Sequence, residues 1–265
     1  MNNIKNIIGK DYNQMFFNSG KTFSLELEKK GILVFKNFIN DKGLDQIEQE
    51  AIKLKSKSFK SSSEYNVYIL PYDPKFRKNS SRNRVMSTTK KCIPNDLISK
   101  NSNLNELYNS TIIKNFFCDI LNVNKLYPYN DSLSSININY YNRGDGLGWH
   151  FDNSDFTITL LIKNCLKGGD YEYFNKIRYK NGKEDYEIIE KILDEKIKGQ
   201  KIQSTKGDLM IFKGKESLHR VTKVIKGERI LITFNYNIRK GYLFLKNLEK
   251  HFWKNKLNFT KKPHI

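Results

Sequence analysis

Between Ile136 and Tyr236 the chain reads as a succession of short strands, and this stretch limits the possible folds more than any other feature. Ile136, Ile138 and Tyr140 alternate with Asn137, Asn139 and Tyr141. That is period two, the spacing of a strand with one face in a core. Phe156, Ile158, Leu160 and Ile162 repeat the pattern. Shorter strands are expected at 171–174, 208–212, 218–225 and 229–236, with glycine turns at 144–148, 168–169 and 207. An amphipathic helix over 185–198 interrupts them, with Ile188, Ile189, Ile192, Leu193 and Ile197 as its apolar side. Short strands in this number favour a β-sandwich or jelly roll.

The first half has a different texture. Ile32-Leu33-Val34-Phe35 follows a short helix and reads as a strand buried on both faces. Ile47, Ala51 and Leu54 mark a helix over 41–57. The Ser/Lys-rich segment 55–63 reads as an exposed loop, and 66–70 as a strand ended by Pro71 and Pro74. Residues 75–92 show no clear pattern. Pro94 can open a helix. Residues 111–121 form a strong one through Ile112, Ile113, Phe116, Phe117, Ile120 and Leu121. The tail from Leu243 is expected to be helical. No repeat or linker divides the chain. The expectation is α+β, one domain over 1–265: helical and strand support over about 1–130, a jelly-roll core over about 131–240 and a tail over about 241–265.

The net charge of +19 raises nucleic-acid or anionic-membrane binding. Yet only eight of the 47 basic residues are arginine, and the lysines are scattered. Lysine-, asparagine- and isoleucine-rich composition points to an AT-rich coding sequence, so solvated surface charge is expected rather than nucleic-acid binding. No apolar run has membrane-spanning length. Residues 1–10 carry no secretion-signal core, and Cys92, Cys118 and Cys165 show no paired spacing. A cytoplasmic protein with reduced thiols is expected.

Only four histidines occur. His150 and Asp152, in Trp149-His150-Phe151-Asp152, are two apart, so on a strand they share a face and converge on one ion. His219 lies beyond the Gly207-Asp208 turn. Two imidazoles and a carboxylate make the facial triad of non-haem iron(II) sites, with three coordination positions left open. The bland alternative is an ordinary strand histidine, since H-x-D alone is weak. Three features outweigh it: the glycine turn into the short strand 208–212 before His219, Gly168-Gly169 after the H-x-D strand, and Arg229 ten residues past His219. An arginine there can clamp a carboxylate with two parallel hydrogen bonds. Arg220 is its rival, but as His219's neighbour it should face outward into a surface ion pair.

Taken together, His150, Asp152, His219 and Arg229 resemble the pattern of the iron(II)/2-oxoglutarate oxygenase superfamily. The similarity extends over about residues 25–240. It is closest to the branch of free amino-acid hydroxylases and radical halogenases, typified by lysine halogenases, through Asn66-Val67-Tyr68, 146–152, 168–173 and 217–222. The resemblance implies a double-stranded β-helix, iron(II) held by His150, Asp152 and His219, 2-oxoglutarate held by Arg229, and O2 as second cosubstrate. Halogenases of that branch replace the carboxylate ligand with a small residue, and chloride takes the vacated position. Asp152 is intact, so hydroxylation is expected.

The resemblance also directs attention to Arg84, Asp131, Asn153, Asn235, Asn237 and Trp253 as substrate residues: Arg84 for a carboxylate, Asp131 for an amine, Asn235 and Asn237 as lining, Trp253 as a lid. The expected substrate is a free, polar or cationic L-amino acid. Neutral Asn153, where lysine-processing relatives would carry an acid, weakens lysine itself. Two alternatives stand beside this. One is an oxygenase acting on a peptide or protein side chain. The other is a non-catalytic basic jelly-roll binding module. Nucleic-acid demethylases of the superfamily use a second arginine six residues after the first, and that position here is Asn235.

Overall fold

The computed structural model describes residues 4–15 and 20–241. Two antiparallel sheets dominate it. The strands are β1 (Ile32–Phe35), β2 (Phe59–Asn66), β3 (Val85–Ile93), β4 (Ile136–Tyr141), β5 (Leu147–His150), β6 (Thr157–Lys163), β7 (Tyr171–Phe174), β8 (Gln200–Ile202), β9 (Leu209–Phe212), β10 (Leu218–Val221) and β11 (Arg229–Phe234). The seven-stranded sheet runs β1-β9-β6-β11-β4-β3-β2, and the four-stranded sheet runs β8-β7-β10-β5. A bridge between Thr89 and Gly146 ties β3 to the entry of β5, and so joins the two sheets.

The period-two pattern explains the layering. Ile136, Ile138 and Tyr140 of β4, Ile158, Leu160 and Ile162 of β6, and Ile230, Ile232 and Phe234 of β11 face one way. They form a single core with Ile47, Ala51, Leu104, Phe116 and Phe117. Those last five come from the helices α1 (Gly20–Lys30), α2 (Asp41–Leu54), α3 (Asn103–Asn109), α4 (Thr111–Leu121) and α5 (Tyr186–Leu193), specifically from α2, α3 and α4. The alternate residues Asn137, Asn139, Tyr141, Thr157, Thr159, Arg229, Leu231 and Thr233 line a cavity of about 370 Å³ against the smaller sheet. One sheet thus packs helices on its apolar face and encloses a polar chamber with the other. This is the jelly-roll arrangement expected from the strand succession.

α4 starts where the Ser110 side chain accepts a hydrogen bond from Ile113 N, and ends at Asn122, whose φ of 53° lies in the left-handed region. Its sequence-derived bounds coincide with the observed ones. α5 is shorter than expected and packs Ile189 and Ile192 under Trp149 and Phe151.

Several boundaries differ from expectation. Residues 59–66 are a strand, not an exposed loop, with Ser61 and Ser63 buried. Serines stand between Phe59 and Tyr65 on the side that faces the chamber, so the continuous hydrophobic alternation that marks a strand is missing. The strand expected over 66–70 is a turn: Asn66 Oδ1 accepts from Tyr68 N and Leu70 N, and its amide donates to Leu70 O. Residues 85–93, left without a pattern, pair with both β2 and β4. The single strands expected over 218–225 and 229–236 are each broken, leaving short pieces at Val224–Lys226 and Tyr236–Asn237. The expected C-terminal helical tail lies outside the described residues.

Candidate metal centre

His150 ends β5, and His219 on β10 is its register partner, so two strands of the small sheet bring the imidazoles side by side, with ring centroids 4.2 Å apart and planes tilted by 54°. Asp152 lies two residues beyond His150, just past the end of the strand. Its backbone N–H donates to Gly214 O at 3.0 Å, and Thr157 Oγ1 donates to its Oδ2 at 2.7 Å. Asp152 Oδ1 stands 3.4 Å from His150 Nε2 and 3.5 Å from His219 Nε2. The donor atoms of all three residues fall within 4.8 Å of one another.

Each imidazole is fixed in the same way. Nδ1 of His150 lies 2.9 Å from Gly148 O, and Nδ1 of His219 lies 2.9 Å from Ser217 O. A carbonyl can only accept, so each Nδ1 carries the proton and each Nε2 presents a lone pair to the centre. Backbone carbonyls that hold a histidine by its other nitrogen are the usual support of a metal ligand. Burial lowers the pKa of His150, and neighbouring His219 adds to this against the opposing pull of Asp152. Burial would raise the Asp152 pKa, but in the metal-free protein the two histidines, when protonated, outweigh it and hold the carboxyl well below its usual range. Two neutral imidazoles and one carboxylate form the donor set that suits iron(II).

Phe151, between the ligands, donates its N–H to Val67 O at 2.7 Å, so the Asn66 turn holds the ligand segment from behind. Ile69 in that turn has a φ of 52°, a strained conformation for a β-branched residue, and it lines the cavity.

Arg229 is 3% exposed, and its Nη1 has no hydrogen-bond partner among the described residues. The Tyr171 hydroxyl and Asn139 Oδ1 are buried and unsatisfied as well, and all three residues line the cavity. Burial and the nearby Asp152 charge raise the Tyr171 pKa well above 10, so its hydroxyl stays a neutral donor. A buried guanidinium without a partner is costly. Two unsatisfied donors, Arg229 Nη1 and Tyr171 Oη, fit the carboxylate of a bound dicarboxylic cosubstrate. Gly169 makes room for the arginine: its φ is +68°, and a Cβ there would meet Cys165 Sγ at 2.6 Å and Arg229 Cδ at 3.3 Å. Arg220 points outward as expected, paired with Glu172 Oε2 at 2.7 Å and stacked 4.5 Å over Trp149.

The expected substrate residues divide. Asn153, Asn235 and Asn237 line the cavity. Arg84 does not: it pairs with Asp194 Oδ1 at 2.7 Å and donates to Asn79 O. Asp131 is also off the lining, where its Oδ1 closes a turn by accepting from Leu133 N and Ser134 N. Short polar turns use acidic residues in this way, which is why an acid in a loop is a poor guide to a site. Trp253 lies outside the described residues. Sequence reasoning missed Tyr141, Tyr171, Asn139 and Thr157. Tyr171 lay within the glycine-pair segment already noted, and Tyr141 and Asn139 were the polar half of an alternation read only for its apolar half.

A family model described as Halogenase D matches residues 18–243. No curated protein matches the sequence. Among solved structures, the fold is similar to an oxidoreductase of the 2OG-Fe(II) oxygenase family from Burkholderia pseudomallei, with TM-score 0.54, 12% identity, and coverage of 85% of this chain and 93% of that one. It is similar to a prolyl hydroxylase from Trichoplax adhaerens, solved with a peptide fragment of hypoxia inducible factor, with TM-score 0.54, 15% identity, and coverage of 86% and 93%. It is also similar to a non-heme alpha-ketoglutarate-dependent carbocyclase from nogalamycin biosynthesis, with TM-score 0.57, 9% identity, and coverage of 83% and 85%. At these identities the likeness is one of fold. The fold is that of the 2-oxoglutarate/iron(II) oxygenases, and because the family model takes in most of its length, the chain belongs to the Halogenase D family.

Proposed function

We propose that this chain is an iron(II)/2-oxoglutarate-dependent dioxygenase that hydroxylates an unactivated C–H bond of a free, polar L-amino acid. The observation that carries the reading is the intact His150–Asp152–His219 donor set in a chamber that also holds an unsatisfied arginine. Bound together, iron(II) and 2-oxoglutarate activate O2 and deliver one oxygen atom to a C–H bond, with succinate and carbon dioxide as coproducts.

The residues present set the rest. His150, His219 and Asp152 would hold the metal, which with only three protein donors could also take up cosubstrate and oxygen. Arg229 and Tyr171 hold the far carboxylate of 2-oxoglutarate, as their unpaired donors support. Asp152 occupies the position that a halide would need, and its negative charge opposes an anion there. Hydroxylation is therefore the assigned chemistry, within a family whose name records halogenation. Asn153, Asn235 and Asn237 face the substrate side of the chamber. A cavity of about 370 Å³ accommodates the cosubstrate and a molecule of amino-acid size. We assign a cytoplasmic setting on the sequence alone, from three widely spaced cysteines with no paired spacing. We treat residues 1–265 as one domain.

The test is anaerobic reconstitution with iron(II) and 2-oxoglutarate, then addition of O2 against a panel of standard L-amino acids and of peptides. Succinate formation stimulated by one amino acid, which itself gains one oxygen atom, is the expected result. Stimulation by peptides alone moves the substrate to a protein side chain. Absence of succinate with iron bound rejects the oxygenase assignment.

A further inference from the structure

The charges facing the chamber are few and can be assigned one by one. Lys90, Asp152, Asp155, Lys215, Arg229 and Arg239 line it. Asp152 is committed to the metal and Arg229 to the cosubstrate. A divalent metal, a dicarboxylate cosubstrate, Asp152 and Arg229 together sum to zero charge. Asp155 and Lys215 neutralise each other at 2.8 Å. Lys90 and Arg239 remain, and no carboxylate of the described residues pairs with either.

Lys90 lies on the chamber side of β3. It is the register partner of Ser61 on β2, two residues from Cys92, and both of these line the same cavity. It is partly buried. Arg239 is exposed at the rim, where its backbone N–H donates to Asn237 Oδ1 at 2.8 Å and its guanidinium has no ion-pair partner among the described residues. The amide walls formed by Asn137, Asn235 and Asn237 carry no charge of their own.

We propose that the substrate is an acidic amino acid, whose second carboxylate is drawn in and held by Lys90 and Arg239. The inference rests on the oxygenase reading above and reverses the sign of the charge that the sequence led us to expect. The α-amino and α-carboxylate groups of any free amino acid cancel, so the side chain decides the match. A cationic side chain would bring a third positive charge to a site that already holds two without partners. A side-chain carboxylate meets them, and the positive rim also concentrates anions from solution.

Calorimetric titration tests this on full-length protein loaded with zinc(II), which has no redox chemistry, and saturating 2-oxoglutarate, so that the acidic ligands do not enter the cosubstrate position. Aspartate and glutamate are compared with asparagine, glutamine and lysine. The expected result is that one acid binds about tenfold or more tighter than its amide, with a preference that shrinks as salt rises. Lys90→Met with Arg239→Met abolishes the preference without changing 2-oxoglutarate affinity, while Lys90→Arg retains it. Since neither side chain has an ion pair to break among the described residues, these variants are expected to fold. Tighter binding of lysine or of an amide, no binding of either acid, or a preference that survives the double substitution overturns the inference. The oxygenase reading then still stands on 2-oxoglutarate binding, measured in the same titration. Failure of 2-oxoglutarate itself to bind rejects both.

Discussion

Thr157 donates to Asp152 Oδ2, and Gly214 lies so close that a Cβ there would sit 2.0 Å from the same oxygen. The ligand carboxylate is thus oriented by a hydroxyl and by an empty space. Thr157→Val keeps the volume and removes the hydrogen bond. Loss of such a ligand-supporting partner costs about 10–100-fold in metal affinity or activity, and iron titration of the variant is expected to fall in that range. Asp152→Ala is expected to lose more, together with hydroxylation. Gly214→Ala is expected to act on metal affinity by pushing the carboxylate aside. The H-x-D spacing made His150 and Asp152 legible in the sequence, because i and i+2 share a strand face. The supports were not legible: Gly214 and the Asp152 carboxylate are brought together by a turn distant in sequence. Acidification acts at the same residues. The pKa of metal-free His150 is lowered from 6.5, so the unfolded chain takes up a proton there before the native protein does. Stability is then highest above that value and falls as pH drops through it, and depressed Asp152 adds the same sign at lower pH. Urea unfolding of metal-free protein at about pH 7.5 and about pH 5.5 is expected to show the loss, and His150→Gln to reduce it.

The elements were legible where one face is apolar and the other polar, and illegible where that contrast is missing. α4 presents Ile113, Phe116, Phe117 and Ile120 to the core, and its bounds followed from that stripe. β2 and β3 escaped because the residues they turn to the chamber mix Phe59, Tyr65 and Cys92 with Ser61 and Lys90, so no apolar face alternates with a polar one. β3 is placed by its pairing with β4, far along the chain, and β2 by its pairing with β3. α4 is also the element whose loss should be felt most broadly, since Phe116 makes edge contacts with Phe23 and Phe35 and so ties α4 to α1 and β1. Phe116→Ala opens a cavity in this cluster and is expected to cost about 3–5 kcal/mol, read as a lowered midpoint in denaturant unfolding. The metal-binding stoichiometry of the folded fraction should be unchanged, since the ligands belong to the other sheet.

Charge acts on the scale of the whole molecule, and its total was a poor guide. Lysines that pair with nearby acids, such as Lys36 with Asp208 and Lys201 with Asp170, cancel out of the total, and the +19 is only the excess of 47 basic over 28 acidic side chains. No described helix is long and apolar enough to cross a membrane. The consequential charge is the buried one. Arg229 has no carboxylate partner among the described residues, so in the absence of cosubstrate it works against folding, and with cosubstrate it works for binding. These opposite signs make a test that mere structural importance cannot imitate. Arg229→Met keeps the side-chain length and removes the charge. Its apo form is expected to melt no lower than the parent protein, although the residue is 3% exposed. Saturating the parent with metal and 2-oxoglutarate at about 100 times Kd should add about 2.7 kcal/mol per ligand, or a rise of about 5–10 °C in Tm. In Arg229→Met the metal part of that rise should persist and the 2-oxoglutarate part should vanish. A variant that melts well below the parent and yet keeps its full response to 2-oxoglutarate would show Arg229 to be a core residue and place the cosubstrate elsewhere in the chamber.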